Sequence, residues 1–174
     1  AASFFWFEAL QPYQRDRIIS FINPAGDIQG SGYSAYQAKI TVGSGQLFGK
    51  GIGYGTQSHL NFLPEAETDF VFAAIAEETG FFGAVILIAL FAFFLWRALL
   101  VGIKSKDNFS KLFALGFSSL IFFQFLVHSC ANIGLLPITG VTLPFVSYGG
   151  SSLVTLMIGV GILESIRMHS RSDI

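Results

Sequence analysis

The chain has 174 residues, of which 52% are hydrophobic and only 12% are charged. A soluble domain carries about a quarter charged residues, so this deficit indicates a protein that lives mainly in lipid. The net charge of −1 excludes the concentrated basic patch that nucleic-acid binding requires. A single cysteine, Cys130, excludes an internal disulfide and a multi-cysteine metal site.

The N-terminal part of the chain contains two kinds of segment. Residues 1–10 have no basic start and no cleavage site, so we expect no signal peptide here and interpret them as the end of a preceding span. Residues 11–70 are polar and rich in glycine, and they contain no apolar run of the length that a bilayer requires. The pattern predicts a large extracellular loop here.

Three apolar stretches follow this loop. About 20 apolar residues suffice to cross a bilayer, so we predict spans at residues 71–102, 111–134 and 149–167. A short polar hinge joins the first two spans, and a turn region rich in proline and glycine, residues 135–148, joins the last two. The predicted fold class is therefore all-α, a polytopic helical membrane protein.

Basic residues predict the orientation. The hinge carries four of them and the end of the last span two more: Arg97, Lys104, Lys106, Lys111, Arg167 and Arg171. Short loops rich in lysine and arginine face the cytoplasm. We therefore expect residues 11–70 outside the cytoplasmic membrane and residues 168–174 as a cytoplasmic tail.

A glycine-dense segment of the outer loop, residues 43–55, resembles a phosphate-binding loop only superficially. A Walker A motif needs a glycine where this chain has Ser44, and a serine or threonine where Gly51 follows Lys50. Two interpretations remain. The backbone N–H groups of this segment approach a phosphate or a sugar, or the segment is a chain of turns resting on the membrane surface.

An acidic residue stands at the outer edge of the first span. Pro64 stops regular structure, and the apolar run begins just after Asp69. In one interpretation Thr68 or Asp69 caps the helix. In the other, Asp69 is a functional carboxylate facing a cavity, since ionisable groups at the edge of a span are costly. For Glu77 and Glu78, two turns deeper, hydrogen bonding inside the bundle is favoured over catalysis.

Polar residues of the second span recur at helical intervals of four: Gln124, His128 and Asn132. Such a stripe faces other helices or a wet groove. Interhelical hydrogen bonding is its default role, and lining a substrate cavity is the alternative. The other histidines, His59 and His169, share no spacing with His128, so no histidine metal site is predicted.

Several segments closely resemble the RodA/FtsW/SpoVE family of cell-wall polymerases. They follow one another with the family's spacing and cover nearly the whole chain. Residues 55–58, Gly-Thr-Gln-Ser, resemble the RodA (elongation) branch more than the FtsW (division) branch. The matching segments are residues 30–40, 43–51, 55–65, 68–73 and 132–152.

The resemblance implies a ten-span protein of the bacterial cytoplasmic membrane, of which this chain holds the C-terminal three spans and the large extracellular loop. It also implies lipid II as the substrate, Asp69 as the essential carboxylate and a class B penicillin-binding transpeptidase as a partner. Glu67 departs from the histidine that is usual in the family, and it places a second charge beside Asp69.

The implied reaction is glycosyl transfer, with Asp69 as the general base. Lipid pyrophosphate is a weakly basic leaving group, so the second carboxyl group of a typical glycosidase is not required. Lysines, with loop N–H groups or a divalent cation such as Mg²⁺ or Mn²⁺, are expected to hold the pyrophosphate. The predicted substrate-binding residues are Lys39, Lys50, Thr56, Gln57 and Ser58.

Two other functions remain open from the sequence. One is a flippase that moves lipid II across the membrane without chemistry, which helices broken by proline and glycine also suit. The other is a non-catalytic scaffold for a cell-wall transpeptidase. A long glycine-rich outer segment that ends in an acid favours the polymerase.

Overall fold

The structure, a computed structural model, describes residues 31–56 and 67–171. These ranges contain four α-helices and no strand: α1 (Ser31–Ser44), α2 (Val71–Lys104), α3 (Asn108–Asn132) and α4 (Gly150–Arg171). By length and composition α2, α3 and most of α4 are able to cross a membrane. The predicted all-α membrane fold class is confirmed.

The ends of α3 follow from local sequence. Asp107 is the N-cap, and its carboxylate accepts a hydrogen bond from the N–H of Ser110 at 3.2 Å. At the other end Gly134 adopts a φ of 76°, which lets the chain turn back so that the N–H of Leu135 bonds the carbonyl of Cys130 at 2.8 Å. The turn region begins at this glycine.

Three apolar clusters hold the helices together. The central one joins α2, α3, the turn region and α4 through Phe91, Ile121, Leu143 and Leu156. Small residues bring helices close: a methyl group at Gly102 of α2 would meet the Cβ of Ala114 in α3 at 2.8 Å. The outward faces of α2, α3 and α4 remain apolar and exposed, as lipid or further protein segments require.

Helix α1 lies within the predicted outer loop, and the sequence pattern did not indicate it. Its Ala38 and Val42, one turn apart, pack against Phe70 and Ala73 at the start of α2. The helix is therefore stabilised by tertiary contacts and not by a strong amphipathic period.

Helix α2 is broken near its N-terminal end. Gly80 has φ 70° and ψ −165°, so the helical ladder is interrupted there. A break leaves backbone N–H and C=O groups without helical partners. At membrane depth such groups must find partners within the protein.

Residues 45–51, which we call the docking loop, supply these partners. The loop inserts beside the break and exchanges backbone hydrogen bonds with α2 in both directions. Four such bonds are formed: Lys50 N–H to Glu77 O (2.9 Å), Gly51 N–H to Glu78 O (3.0 Å), Phe81 N–H to Gln46 O (2.9 Å) and Phe82 N–H to Leu47 O (3.3 Å). The loop therefore completes α2.

The glycines of the docking loop are required by this close approach. A Cβ at Gly45 would overlap the carbonyl of Ala76, and one at Gly49 would overlap the carbonyl of Glu78. The N–H of Gly49 bonds the carbonyl of Gly45 at 2.8 Å. The N–H groups of residues 49–51 are thus occupied by protein carbonyls and are not open to a phosphate.

Replacing Gly49 with alanine tests this fit. Gly49 and Gly53 both have a left-handed backbone, with φ 77° and 80°, which costs an alanine about 1–2 kcal/mol. A Cβ added at Gly49 would overlap the carbonyl of Glu78, whereas a Cβ added at Gly53 would have no neighbour within 4 Å. We expect Gly49→Ala to lower the Tm of the detergent-solubilised protein much further than the matched control Gly53→Ala. Equal shifts would contradict the close fit.

Candidate active site

Asp69 lies two residues before α2 and is half-buried. It does not cap the helix: the N-cap is Phe70, which makes no side-chain capping bond. The N–H of Ala73, in the first turn of α2, instead donates to the Oδ1 of Asn132 at 3.1 Å. The capping interpretation of Thr68 and Asp69 is therefore wrong. Among the described residues, the Asp69 carboxylate accepts no hydrogen bond and forms no ion pair.

The backbone that carries Asp69 is bonded at three consecutive carbonyls. Each accepts a hydrogen bond from the C-terminal half of the chain, although the residues are distant in sequence. The three bonds are Tyr148 N–H to Glu67 O (2.9 Å), Ser147 Oγ–H to Thr68 O (2.7 Å) and Asn132 Nδ2–H to Asp69 O (3.0 Å). These bonds fix the backbone of residues 67–69, whereas the side-chain carboxylate of Asp69 has no hydrogen-bond partner among the described residues.

The carboxylate faces the turn region and α3. A Cβ at Gly140 would lie 3.7 Å from the Oδ2 of Asp69, so the glycine leaves room beside the acid. The ring of His128 is close enough to interact electrostatically with Asp69. Its Nδ1 is 2.7 Å from the carbonyl of Val141, and its Nε2 has no partner in the described part of the chain.

The polar stripe of α3 is thus used inside the bundle. Asn132 bonds residues at the start of α2, and His128 bonds the turn region. The expected interhelical hydrogen bonding is confirmed for Asn132, whereas the partner of His128 lies in the turn region and not in a helix. The Oε1 of Gln124 is buried without a partner among the described residues.

Lys39 is brought to the same end of the bundle as Asp69. Its side chain lies across Gly134, where a Cβ would overlap the Cε of the lysine. The preceding residue, Ala38, packs in one cluster with Phe70, the neighbour of Asp69. Within residues 31–56 and 67–171 the amine of Lys39 forms no ion pair, so it is open to an anionic ligand.

Lys50 is engaged differently. Its Nζ lies 2.7 Å from the Oε1 of Glu77 and 2.7 Å from the Oγ1 of Thr56. The Glu77 side chain is fully buried and also bonds Thr56 at 3.2 Å and Ser44 at 3.4 Å. The expectation that Glu77 bonds inside the bundle is confirmed. Lys50 and Thr56 meet at Glu77 and not at Asp69, and their role toward substrate stays a prediction.

The remaining predicted residues divide into two groups. Gln57, Ser58 and His59 lie outside the described residues. For a metal, the described ranges hold no group of three histidine, cysteine, aspartate or glutamate side chains with suitable spacing.

The family model of the FtsW/RodA/SpoVE proteins, described as "Cell cycle protein", matches residues 1–172. The chain belongs to the FtsW/RodA/SpoVE family. The family resemblance drawn from the sequence is thereby confirmed, and the matched residues include both the predicted loop, residues 11–70, and the turn region.

Relatives from two branches match this FtsW/RodA/SpoVE chain equally well. The peptidoglycan glycosyltransferase MrdB of Escherichia coli (strain K12) is 44% identical over 95% of this chain and 45% of that protein. The probable peptidoglycan glycosyltransferase FtsW of Pseudomonas fluorescens (strain SBW25) is 44% identical over 94% of this chain and 41% of its own length. The chain spans less than half the length of these curated relatives.

A solved structure shows the same arrangement. It was determined in a study of "Structural coordination of polymerization and crosslinking by a peptidoglycan synthase complex". The match has a TM-score of 0.75 and 30% identity, and it covers 97% of this chain and 45% of the other. The four helices described above therefore form part of the family's fold.

The Lys50–Glu77 ion pair yields a stability prediction. Lys50→Met leaves a buried carboxylate without its cation, which costs about 3–5 kcal/mol in fully buried pairs. Because the Lys50 side chain is 29% exposed, we expect a loss below that range. Glu77→Gln replaces the carboxylate with a neutral amide, whose oxygen still accepts the hydrogen bond from Thr56. We therefore expect its Tm to fall less than that of Lys50→Met. Thermal unfolding of the double variant should give a Tm above that of Lys50→Met; a lower one would contradict the pairing.

Proposed function

We propose that the chain is the C-terminal part of a peptidoglycan glycosyltransferase that polymerises lipid II into glycan strands, with Asp69 as the general base. The observation that carries the proposal is the open carboxylate of Asp69 on a peptide bonded at three carbonyls. The name of the MrdB relative, 44% identical, supports the reaction class.

The chemistry needs one base. Asp69 takes the proton from the 4-hydroxyl of the acceptor N-acetylglucosamine as that oxygen bonds the anomeric carbon of the donor N-acetylmuramic acid. The bond from that carbon to the lipid pyrophosphate breaks on the opposite face, and the configuration inverts. The pyrophosphate leaves as an anion that needs charge neutralisation and no proton. General-base assistance contributes typically about 10²–10⁴ in rate.

Lys39 is the better supported of the two lysines as a pyrophosphate ligand. Its amine has no ion pair among the described residues and lies at the Asp69 end of the bundle. The amine of Lys50 is shared between Glu77 and Thr56. We therefore assign charge neutralisation mainly to Lys39, assisted by a divalent cation where the reaction requires one, and give Lys50 a secondary role with Thr56, Gln57 and Ser58.

The setting of the reaction follows from topology. The basic hinge between α2 and α3 and the end of α4 face the cytoplasm under the positive-inside rule. Asp69 and the docking loop then lie at the outer face of the bacterial cytoplasmic membrane. The matching solved structure concerns coordination of polymerisation with crosslinking in a synthase complex, which supports a transpeptidase partner of the class B penicillin-binding type.

We place the activity in cell elongation and cell shape because residues 55–58 resemble the RodA branch. Identity over the whole chain does not separate the branches, since MrdB and FtsW relatives both reach 44%. Depletion of the protein in its own cells distinguishes the roles: rounded cells indicate elongation, and filaments indicate division.

The flippase and scaffold alternatives predict no product in a polymerisation assay. Full-length protein, with its transpeptidase partner, is incubated with labelled lipid II in detergent, where the two sides of a membrane no longer exist. A polymerase makes glycan strands under these conditions. Absence of strands from folded complex would overturn the proposed function.

Asp69→Asn tests the base directly. The amide keeps the shape of the side chain but accepts no proton, so we expect the polymerisation rate to fall by about 10²–10⁴. Because the carboxylate has no partner in the described part, the Tm should change little. Asp107→Asn at the opposite end is the matched control, since asparagine also caps a helix well. A wild-type rate for Asp69→Asn would remove the assignment.

Lys39→Glu tests charge neutralisation of the pyrophosphate. Reversing the charge repels the diphosphate, so we expect a higher apparent KM for lipid II or a lower rate in the same assay. Lys111→Glu, an exposed lysine of the cytoplasmic hinge, is the control for a change in net charge. Identical kinetics for the two variants would exclude Lys39 from the site.

A further inference from the structure

We infer that Ser147 and Asn132 are positioning residues that act through Asp69: their hydrogen bonds to the Thr68 and Asp69 carbonyls set where the carboxylate stands. The inference rests on the proposed function, in which Asp69 is the base. It assigns a role in the reaction to side chains that lie 79 and 63 residues from their partners in sequence.

The hydroxyl of Ser147 has one orientation in this network. Its Oγ accepts the N–H of Leu143 at 2.8 Å and lies 2.7 Å from the carbonyl of Thr68. A serine hydroxyl has a single proton, so that proton is donated to Thr68. The N–H of Ser147 also bonds the carbonyl of Leu143 at 3.0 Å, which fixes the backbone of the donor.

The amide of Asn132 is likewise fully used. Its Nδ2 donates to the carbonyls of Asp69 at 3.0 Å and His128 at 2.9 Å, and its Oδ1 accepts from Ala73. Turning the amide over would set N–H groups against the N–H of Ala73, so the network determines the orientation. The residue is 1% exposed. It ties Asp69 and the first turn of α2 to the last turn of α3.

These bonds decide the position of the carboxylate because nothing else in the described part holds it. The side chain of Asp69 has two rotatable bonds and no bonded partner, so its reach is defined by the backbone alone. Phe70, the residue after Asp69, is buried in the cluster with Ala38. This packing anchors the chain on the C-terminal side of Asp69 only. Displacement of a catalytic group by about 1 Å can cost about 10² in rate.

The same bonds are not the main support of the fold. The turn region and the helices are joined by the cluster of Phe91, Ile121, Leu143 and Leu156, which Ser147→Ala leaves intact. Ser147→Ala removes two hydrogen bonds, one to the Thr68 carbonyl and one from the Leu143 N–H, and each costs about 0.5–1.5 kcal/mol. Ser147→Ala is therefore expected to fold.

The first experiment measures lipid II polymerisation by full-length Ser147→Ala with its partner. We expect kcat to fall about 10–10²-fold while the KM for lipid II stays unchanged, and Ser147→Thr, which keeps a hydroxyl, to recover most of the rate. Ser119→Ala is the control, because that hydroxyl bonds only the Leu115 carbonyl of its own helix. A wild-type kcat for Ser147→Ala overturns the inference.

The second experiment asks whether the effect passes through Asp69. In the Asp69→Asn background, Ser147→Ala should lower the residual polymerisation rate no further. The asparagine amide cannot act as a base in any position, so displacing it has no effect on the rate. A further fall of the same size shows a role independent of the base and overturns the inference. Asn132→Leu, uncharged and of similar size but without the two N–H donors, repeats both tests if Ser147→Ala is not recovered folded. A wild-type rate for Asp69→Asn alone refutes the proposed function instead.

Discussion

The pairing of backbone groups at the break in α2 determines how the outer part of the chain sits on the bundle. Polar backbone at membrane depth must be bonded within the protein, and the docking loop provides this at Gly80 through four hydrogen bonds. Helix α1 directly precedes the loop, so fixing the loop places α1 against Phe70 and Ala73. Lys39 thereby reaches Gly134 at the end of α3.

The same requirement operates at the second irregular segment. The turn region after α3 is not helical, and its Ser147 and Tyr148 donate to the carbonyls of Thr68 and Glu67. Asn132, the last residue of α3, donates to the carbonyl of Asp69. These bonds engage the three carbonyls of residues 67–69 but leave the Asp69 carboxylate itself without a bond among the described residues. A general base needs this combination, since a proton acceptor must be fixed in place and yet unoccupied.

The spans were predictable from the sequence because each is an apolar run of about the length that a bilayer needs or longer. Asp69 was predictable as a candidate from its place at the edge of a run and from the family resemblance. Helix α1 was not, since its stability comes from contacts with α2. Neither the left-handed backbone of Gly80 nor the pairing of Ser147 with Thr68, 79 residues apart, has a local signal. The missed features are long-range hydrogen bonds, which composition and periodicity do not encode.

The two lysines of the outer segment illustrate the same limit. Lys39 and Lys50 were equivalent candidates, both cations in a loop rich in glycine. The two lysines differ because only Lys50 lies beside a buried acid. The side chain of Glu77 is fully buried, and a buried carboxylate is tolerated only with a cation and further hydrogen bonds. Lys50 meets that need, whereas Lys39 has no such acid beside it in the described part. Lys50 therefore stabilises the fold, whereas the amine of Lys39 is left without an ion pair among the described residues.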